Sequence, residues 1–162
     1  MPKFNDLASL YAYVNKSINK ALETKVAPVV EQKIADKVQT EVYDSYSPVF
    51  YERRHELGNP SNIVSELISD GLLETKDVAS PSESVLHTPY GPSNSTTFPG
   101  WVNNGNVPNI FNDRTDYPWM YPRDFIGAAV NELKSTGEVK SALAAGLSAD
   151  GISVTTNVKR VG

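Results

Sequence analysis

The residues of this chain that could take part in metal binding or acid–base chemistry include its two histidines and several closely spaced carboxylates. His55 and His87 stand far apart in the sequence, whereas the zinc-binding histidines of a helical motif lie one turn apart. His55–Glu56 begins like a zinc-protease motif, but Asn59 occupies the position of the second histidine. We therefore predict that neither histidine binds a metal or acts in catalysis.

A carboxylate pair offers a second route to catalysis. Glu52 and Glu56, or Asp113 and Asp116, could flank a cleft as the two acids of a glycosidase do. Carboxylates three or four residues apart are common on protein surfaces, so a hydrolase is kept only as an alternative. The chain has no cysteine, no Gly-x-Ser-x-Gly motif and no glycine-rich phosphate loop. The sequence thus predicts a protein that is not an enzyme, with no catalytic residue, no metal and no cofactor.

The stretch Val42–Arg54 (VYDSYSPVFYERR) concentrates aromatic and arginine side chains. Tyrosine and arginine are enriched among the residues that dominate binding energy at protein interfaces. Arginine beside a ring can also stack on it and bind a carboxylate in a bidentate manner, although it can equally be a solvated charge. We predict that this stretch contributes subunit contacts through Tyr43, Tyr46, Phe50, Tyr51, Arg53 and Arg54.

Residues 79–121 combine many prolines with aromatic residues. A polar linker does not contain so many rings, so we predict a long ordered loop fixed by buried aromatic side chains. Trp101 and Trp119 are predicted interface residues of this loop. Alternatively, they form a ligand platform of a peripheral virion or surface-binding module.

An N-terminal helix must position the tyrosine-rich stretch. Asn5 or Asp6 can cap a helix that begins at about Leu7. About 36 helical residues would span roughly 54 Å, which exceeds the diameter of a compact domain, so the helix either bends or packs on another subunit. Pro28 predicts a kink or break near Val26–Ala27. Apolar residues recur at helical spacing at Leu7, Leu10, Val14, Ile18, Leu22, Val26, Val30, Ile34, Val38 and Val42.

Two further elements follow from local patterns. Asp70–Gly71 between the apolar runs Ile63–Ile68 and Leu72–Val78 predicts a β-hairpin with a two-residue turn. Pro122 is predicted to open a C-terminal helical region, with a restart near Ser135 and Glu138, which have capping-box spacing. Either Gly146 or the turn Ala149–Asp150–Gly151 should end it, and Ile152–Val158 predicts a final strand. The expected buried side of the first helix in this region contains Phe125, Ile126, Ala129, Val130 and Leu133.

These elements predict one α+β domain with a long kinked N-terminal helix, a small antiparallel sheet, a long ordered loop, and a C-terminal helix and final strand. Its expected segments are 1–46, 47–78, 79–121 and 122–162. The net charge of −4 argues against a nucleic-acid binder that neutralises phosphates. No apolar run approaches the ~18 residues of a membrane span, and no signal peptide follows Met1. We therefore expect no membrane association and synthesis in the cytoplasm.

Several of these stretches together resemble a family of tailed-phage proteins. They are VYDSYSPVFYERR, the following Asn62–Ile63 with its hairpin, and YPRDFI before a helix that ends in ALAAGLSADGI. The similar proteins are small tail-component or neck proteins encoded between the capsid and tail-tube genes. Pro122–Ile126 departs slightly from the Arg-Pro-Phe-Ile-like start of their C-terminal helix.

The resemblance implies a virion structural protein that forms a homo-oligomeric ring at the head–tail connector (neck) or at the tail completion position. Its implied neighbours are connector, tail-terminator or tail-tube proteins. DNA would pass through the lumen without specific binding, since an acidic lumen repels phosphate. The implied location is the virion neck or tail, after assembly in the cytoplasm of the bacterial host. A ring would also give the long apolar helix and the aromatic loop a neighbouring subunit on which to pack.

Overall fold

A computed structural model describes residues 4–45, 55–79 and 123–154. It confirms the α+β class, with a long N-terminal helix, a two-stranded antiparallel sheet and C-terminal helices. None of the helices in these ranges is long and apolar enough to span a membrane. The elements are α1 (Leu7–Ala21), a π-helical segment (Leu22–Val26), α2 (Ala27–Lys37), a second π-helical segment (Val38–Tyr43), a 3-10 turn (Pro60–Asn62), β1 (Ile63–Ser69), β2 (Leu72–Asp77), α3 (Phe125–Thr136) and α4 (Glu138–Ala149).

Asp6 caps the start of α1, which confirms one of the two predicted caps. Its carboxylate accepts the backbone N–H of Ser9 at 2.7 Å and the hydroxyl of the same residue at 3.0 Å. The backbone hydrogen bond from Ser9 is the main cause that lowers the pKa of Asp6. The cap satisfies one of the free N–H groups in the first turn, so the helix begins where the sequence predicted.

Pro28 changes the hydrogen bonding of the N-terminal helix without ending it. Proline lacks an N–H and cannot donate to the preceding turn. The π-helical segment Leu22–Val26 comes directly before, and the N–H of Ala27 donates to the carbonyl of Leu22, five residues back. Helix α2 then begins at Ala27, with Pro28 in its first turn. The predicted interruption near Val26–Ala27 is therefore a change of register within a continuous helical run.

The chain divides into two compact units, each assembled from separate stretches. The described part of the first unit comprises 4–31, 65–75 and 133–154, and that of the second comprises 32–45, 55–64, 76–79 and 123–132. The single-domain organisation expected from the sequence stays a prediction. The predicted loop 79–121 lies outside the described residues except for its first residue, Ala79, which is buried.

In the first unit, α1 packs on α4 through very small side chains. Ser17 and Ala21 of α1 are buried, as is Gly146 of α4. A methyl group added to Gly146 would lie 2.5 Å from Cβ of Ala21 and 3.2 Å from Cγ of Lys25. The two helices can approach this closely only because neither has a larger side chain at the crossing.

Polar contacts hold the end of α4 against α1. The hydroxyl of Tyr13 donates to the carbonyl of Asp150, and Nζ of Lys20 binds the Asp150 carboxylate at 2.5 Å. The side-chain hydrogen bond from Lys20 is the main cause that lowers the pKa of Asp150. The last turn of α4 is thus fixed to the middle of α1.

Of the two predicted ends, Gly146 lies inside α4 and the turn Ala149–Asp150–Gly151 ends it. The geometry of this turn disfavours a strand immediately afterwards. Gly151 has φ +80, its N–H donates to the carbonyl of Ser148, and the N–H of Ile152 donates to the carbonyl of Leu147. This pair of bonds is the Schellman motif. Because the Ile152 N–H is used in this cap, Ile152–Val154 form no strand, contrary to the sequence prediction. The remainder of the predicted final strand lies outside the described residues.

The hairpin is confirmed, with a different turn. Gly71 has φ +74 but Asp70 has no positive φ, which excludes the turn type that needs positive φ at both residues. The Gly71 N–H donates to Oδ1 of Asn19 at 2.8 Å, and Nδ2 of Asn19 donates to Oδ1 of Asp70 at 2.9 Å. A side chain of α1 therefore binds both turn residues within the first unit.

The C-terminal helical region starts later than predicted but breaks where predicted. Oδ1 of Asp124 accepts the N–H of Gly127 at 2.8 Å, so α3 begins at Phe125 rather than at Pro122. The break before α4 falls at Gly137, which has φ +71, between Ser135 and Glu138 as predicted, but no serine caps the new helix. Val130 was expected to be buried but is 40% exposed, because the buried positions repeat every four residues at Phe125, Ala129 and Leu133.

We predict that Gly146→Ala destabilises the protein. Overpacking costs about 1–3 kcal/mol, and the better helix propensity of alanine offsets only ~1 kcal/mol of it. The free energy of unfolding from urea titration should fall by about 1 kcal/mol, whereas exposed Ser148→Ala should change it by less than ~0.5 kcal/mol. A gain in stability on Gly146→Ala would contradict the close helix approach.

We also predict that Asn19 stabilises the hairpin turn. Asn19→Ala should lower the free energy of unfolding by roughly 0.5–1.5 kcal/mol because both hydrogen bonds are exposed, and Asn15→Ala on the same helix is the matched control. Asn19→Asp should cost more at neutral pH, since it places a second carboxylate beside Asp70. Adding Asp70→Asn should restore part of that loss in a double-mutant cycle, and strict additivity would argue against the contact.

Candidate functional site

Tyr43 is the described member of the predicted contact residues, and it lies at a corner of the second unit. Its hydroxyl donates to the carbonyl of Leu57 at 2.8 Å, and its ring packs on His55 with centroids 4.6 Å apart and planes tilted by 57°. Tyr43 is half-buried and joins the end of the N-terminal helical run to the segment before β1. The other predicted contact residues lie outside the described residues, namely Tyr46, Phe50, Tyr51, Arg53, Arg54, Trp101 and Trp119.

Arg123 completes this corner. Its Nη1 donates to the carbonyl of Val42 at 2.7 Å and to the hydroxyl of Ser45 at 2.6 Å. A cation at this position also interacts favourably with the negative end of the helix dipole. Arg123 belongs to YPRDFI, and its sequence context predicted no role for it. The signal available was a basic residue in a motif that accompanies VYDSYSPVFYERR.

Asp77 anchors the segment Leu57–Gly58 of the same unit to the end of β2. Its buried carboxylate accepts the N–H of Gly58 at 2.9 Å and that of Ala79 at 2.8 Å. Burial raises the pKa of Asp77, and the two backbone hydrogen bonds oppose that rise. The carboxylate therefore ties the turn at Gly58 to the end of β2, which is a structural use of a buried acid.

Gly58 is required where the turn meets the second π-helical segment. It has φ +70, and a methyl group added there would lie 2.7 Å from Cβ of Val38. Val38 and Phe125 are the largest fully buried side chains of the described residues. The corner thus rests on a closely packed apolar core, and its polar residues lie around that core.

An ion-pair cluster fixes α3 to α2 within the second unit. Lys33 and Lys37 each bind one carboxylate oxygen of Glu132, both at 2.7 Å. The side-chain hydrogen bonds from Lys33 and then Lys37 lower the pKa of Glu132 to about 2. Lys33 and Lys37 are one helical turn apart, so they hold the carboxylate between them.

The polar side chains of this corner hold chain segments together by hydrogen bonds. The Tyr43 hydroxyl and the Asp77 carboxylate bind main-chain groups, and Arg123 binds a main-chain carbonyl and a hydroxyl. Within 4–45, 55–79 and 123–154, no group of three or more metal-ligating side chains could hold an ion. Of the carboxylates in the hydrolase alternative, Glu56 is described, while Glu52, Asp113 and Asp116 lie outside the described residues.

A comparison with protein families finds one described as YomN, whose model matches residues 6–149. The matched region includes both VYDSYSPVFYERR and YPRDFI, the two stretches joined by Arg123. Neither a curated protein nor a solved structure matches the chain.

We predict that the Glu132 cluster makes the protein acid-sensitive. A carboxyl whose folded pKa is lowered contributes stability above its unfolded value of 4.5, and this contribution is lost as the pH falls towards about 2. Glu132→Gln should therefore show a smaller loss of unfolding free energy than the wild type between pH ~6 and ~3. Exposed Glu23→Gln is the control, and equal acid sensitivity of wild type and Glu132→Gln would refute the prediction.

Proposed function

Because the chain belongs to the YomN family, which is phage-related, we propose that it is a non-enzymatic structural subunit of a tailed-phage particle. Its proposed position is the head–tail connector (neck) or the tail completion position. There it would form a homo-oligomeric ring and contact connector, tail-terminator or tail-tube proteins.

The observation that carries this proposal is that polar side chains of the two motif stretches form hydrogen bonds within the protein. Arg123 of YPRDFI binds Val42 and Ser45 of VYDSYSPVFYERR, and Tyr43 binds the Leu57 carbonyl. Groups that are engaged in this way maintain a fixed junction and are not free to act on a substrate. A junction of this kind supports an assembly role, in which the neighbouring aromatic and arginine residues contact other subunits.

The charge of the chain supports the same role. A net charge of −4 does not favour tight DNA binding, which requires basic side chains that neutralise the phosphates. It suits a channel through which DNA slides. The protein would thus belong to the virion and meet DNA without specific binding.

Deletion of the gene from the phage tests the proposal. We expect heads and tails that do not join, as seen by electron microscopy, and recovery when the protein is supplied from a plasmid. An epitope-tagged copy should lie at the neck or tail end of complete particles. Complete particles that assemble without the protein would overturn the proposal, and complete particles that fail to adsorb would favour the surface-binding alternative.

We predict that Tyr51→Ala and Arg54→Ala reduce the yield of infective particles by at least about tenfold at equal soluble protein, since interface tyrosines and arginines can each contribute ~2 kcal/mol or more. Tyr13→Phe, outside the predicted contact residues, is the matched control. It removes the hydrogen bond to the Asp150 carbonyl and should lower the unfolding free energy by ~1 kcal/mol without changing particle yield. Normal yields from soluble Tyr51→Ala and Arg54→Ala would argue against contacts at this stretch.

A further inference from the structure

The turn between β1 and β2 contains a chemically labile bond. Its two residues are Asp70 and Gly71, and the chain has a second Asp–Gly pair at Asp150–Gly151. Aspartate before glycine is readily isomerised, because glycine has no side chain to shield its backbone nitrogen from the carboxyl group of the preceding residue. Each pair is therefore a candidate site of spontaneous modification, and its surroundings decide whether the reaction occurs.

The isomerisation consists of ring closure followed by hydrolysis. The glycine nitrogen forms a bond to Cγ of the aspartate, the Cγ–O bond breaks, and the hydroxyl of the protonated carboxyl leaves with the amide proton as water. The product is a succinimide. Water then cleaves one of its two N–C bonds: cleavage at Cγ restores aspartate, and cleavage at the original main-chain carbonyl carbon gives isoaspartate. The main chain of isoaspartate runs through Cγ, and no other reactant is consumed.

Steric bulk does not protect the Asp70–Gly71 pair. Both residues are exposed, and a methyl group added to Gly71 would have no atom of the described residues within 4 Å. The space needed for ring closure is thus open. Protection of this pair must come from hydrogen bonds to the reacting groups.

Asn19 of α1 binds both reacting groups with one side-chain amide. Its Oδ1 accepts the N–H of Gly71 at 2.8 Å, which is the nitrogen that would attack. Its Nδ2 donates to Oδ1 of Asp70 at 2.9 Å, on the carboxyl group that would be attacked. Ring closure requires that the nitrogen lose its proton and that the carboxyl group turn towards it, so both hydrogen bonds must break first.

We propose that Asp70–Gly71 is a site of aspartate isomerisation and that Asn19 protects it. The rate of the reaction then follows the fraction of molecules in which the turn has detached from α1 by local opening. Isoaspartate would add one main-chain carbon to a two-residue turn and would move the carboxylate that Asn19 binds. The modification therefore weakens the contact that had prevented it.

The second Asp–Gly pair has different protection. The N–H of Gly151 donates to the carbonyl of Ser148 at 3.0 Å within the cap of α4, and Lys20 binds the Asp150 carboxylate at 2.5 Å. Neither contact involves Asn19. Residue 150 is therefore an internal control for residue 70 in the same sample.

The inference is tested on the purified full-length chain and does not depend on the proposed function. Wild type, Asn19→Ala and Asn15→Ala are incubated at neutral pH, and isoaspartate in digested samples is measured by mass spectrometry with electron-transfer fragmentation. Asn19→Ala should raise the rate at residue 70 about three- to tenfold, because two exposed hydrogen bonds are lost. The rate at residue 150 should not change, and Asn15→Ala should match the wild type at both residues.

Two further controls separate local protection from a general loss of stability. Gly146→Ala, which we predict to destabilise the same unit without contact to the turn, should leave the rate at residue 70 close to that of the wild type. In urea that unfolds the chain, wild type and Asn19→Ala should react at the same rate. Asp70→Glu in the Asn19→Ala chain should abolish the signal at residue 70, since glutamate would have to close a larger ring.

Three outcomes would overturn the inference. They are equal rates at residue 70 in folded wild type and Asn19→Ala, an equal acceleration in Asn19→Ala and Gly146→Ala, and an effect of Asn19→Ala that persists in urea. Each would show that the Asn19 hydrogen bonds do not control the reaction.

Discussion

The missing amide hydrogen of Pro28 sets the register of the helical run around it, and so determines which side chains before and after it are buried. In the π-helical turn directly before Pro28, a backbone N–H donates to the carbonyl five residues earlier. In an α-helix it donates to the carbonyl four residues earlier. The buried positions show the effect, because Ser17 and Ala21 are four apart but Ala21 and Val26 are five apart. A second π-helical segment, Val38–Tyr43, follows α2 and changes the register again. It begins at Val38, which is fully buried, and ends at Tyr43, at the corner of the second unit.

This shift explains where the apolar stripe read from the sequence was right and where it was wrong. The stripe assumed one α-helical register from Leu7 to Val42, and it correctly identifies the buried residues Val26, Ile34 and Val38. Before the π-helical turn the buried face lies one residue earlier, at Ser17 and Ala21 instead of Ile18 and Leu22. Leu7, in the first turn of α1, is 69% exposed. Proline signals an interruption, but nothing in the pattern says that the backbone will respond with a π-helical turn rather than a break.

Features set by neighbouring residues could be predicted, whereas features set by distant packing could not. The Asp6 cap, the hairpin and the end of α4 each depend on a few consecutive residues with known backbone preferences. Other contacts join segments that are far apart in sequence. They are the close approach of Gly146 to Ala21, the hydrogen bonds of Asn19 to the hairpin turn, and the contact of Arg123 with Val42. The candidate site follows the same rule. Its composition predicted an interface, but the contacts of Tyr43 with Leu57 and His55 within the chain could be seen only in the structure.

The two kinds of surface in this protein have different physical causes. At the corner of the second unit, polar groups bind main-chain atoms and leave a fixed junction. At the start of α1, Leu7 is exposed and no residue between Leu7 and Asn15 is charged. An exposed apolar helix face without charge is a solubility cost for a monomer. In the proposed assembly, a subunit that covered this face would remove that cost.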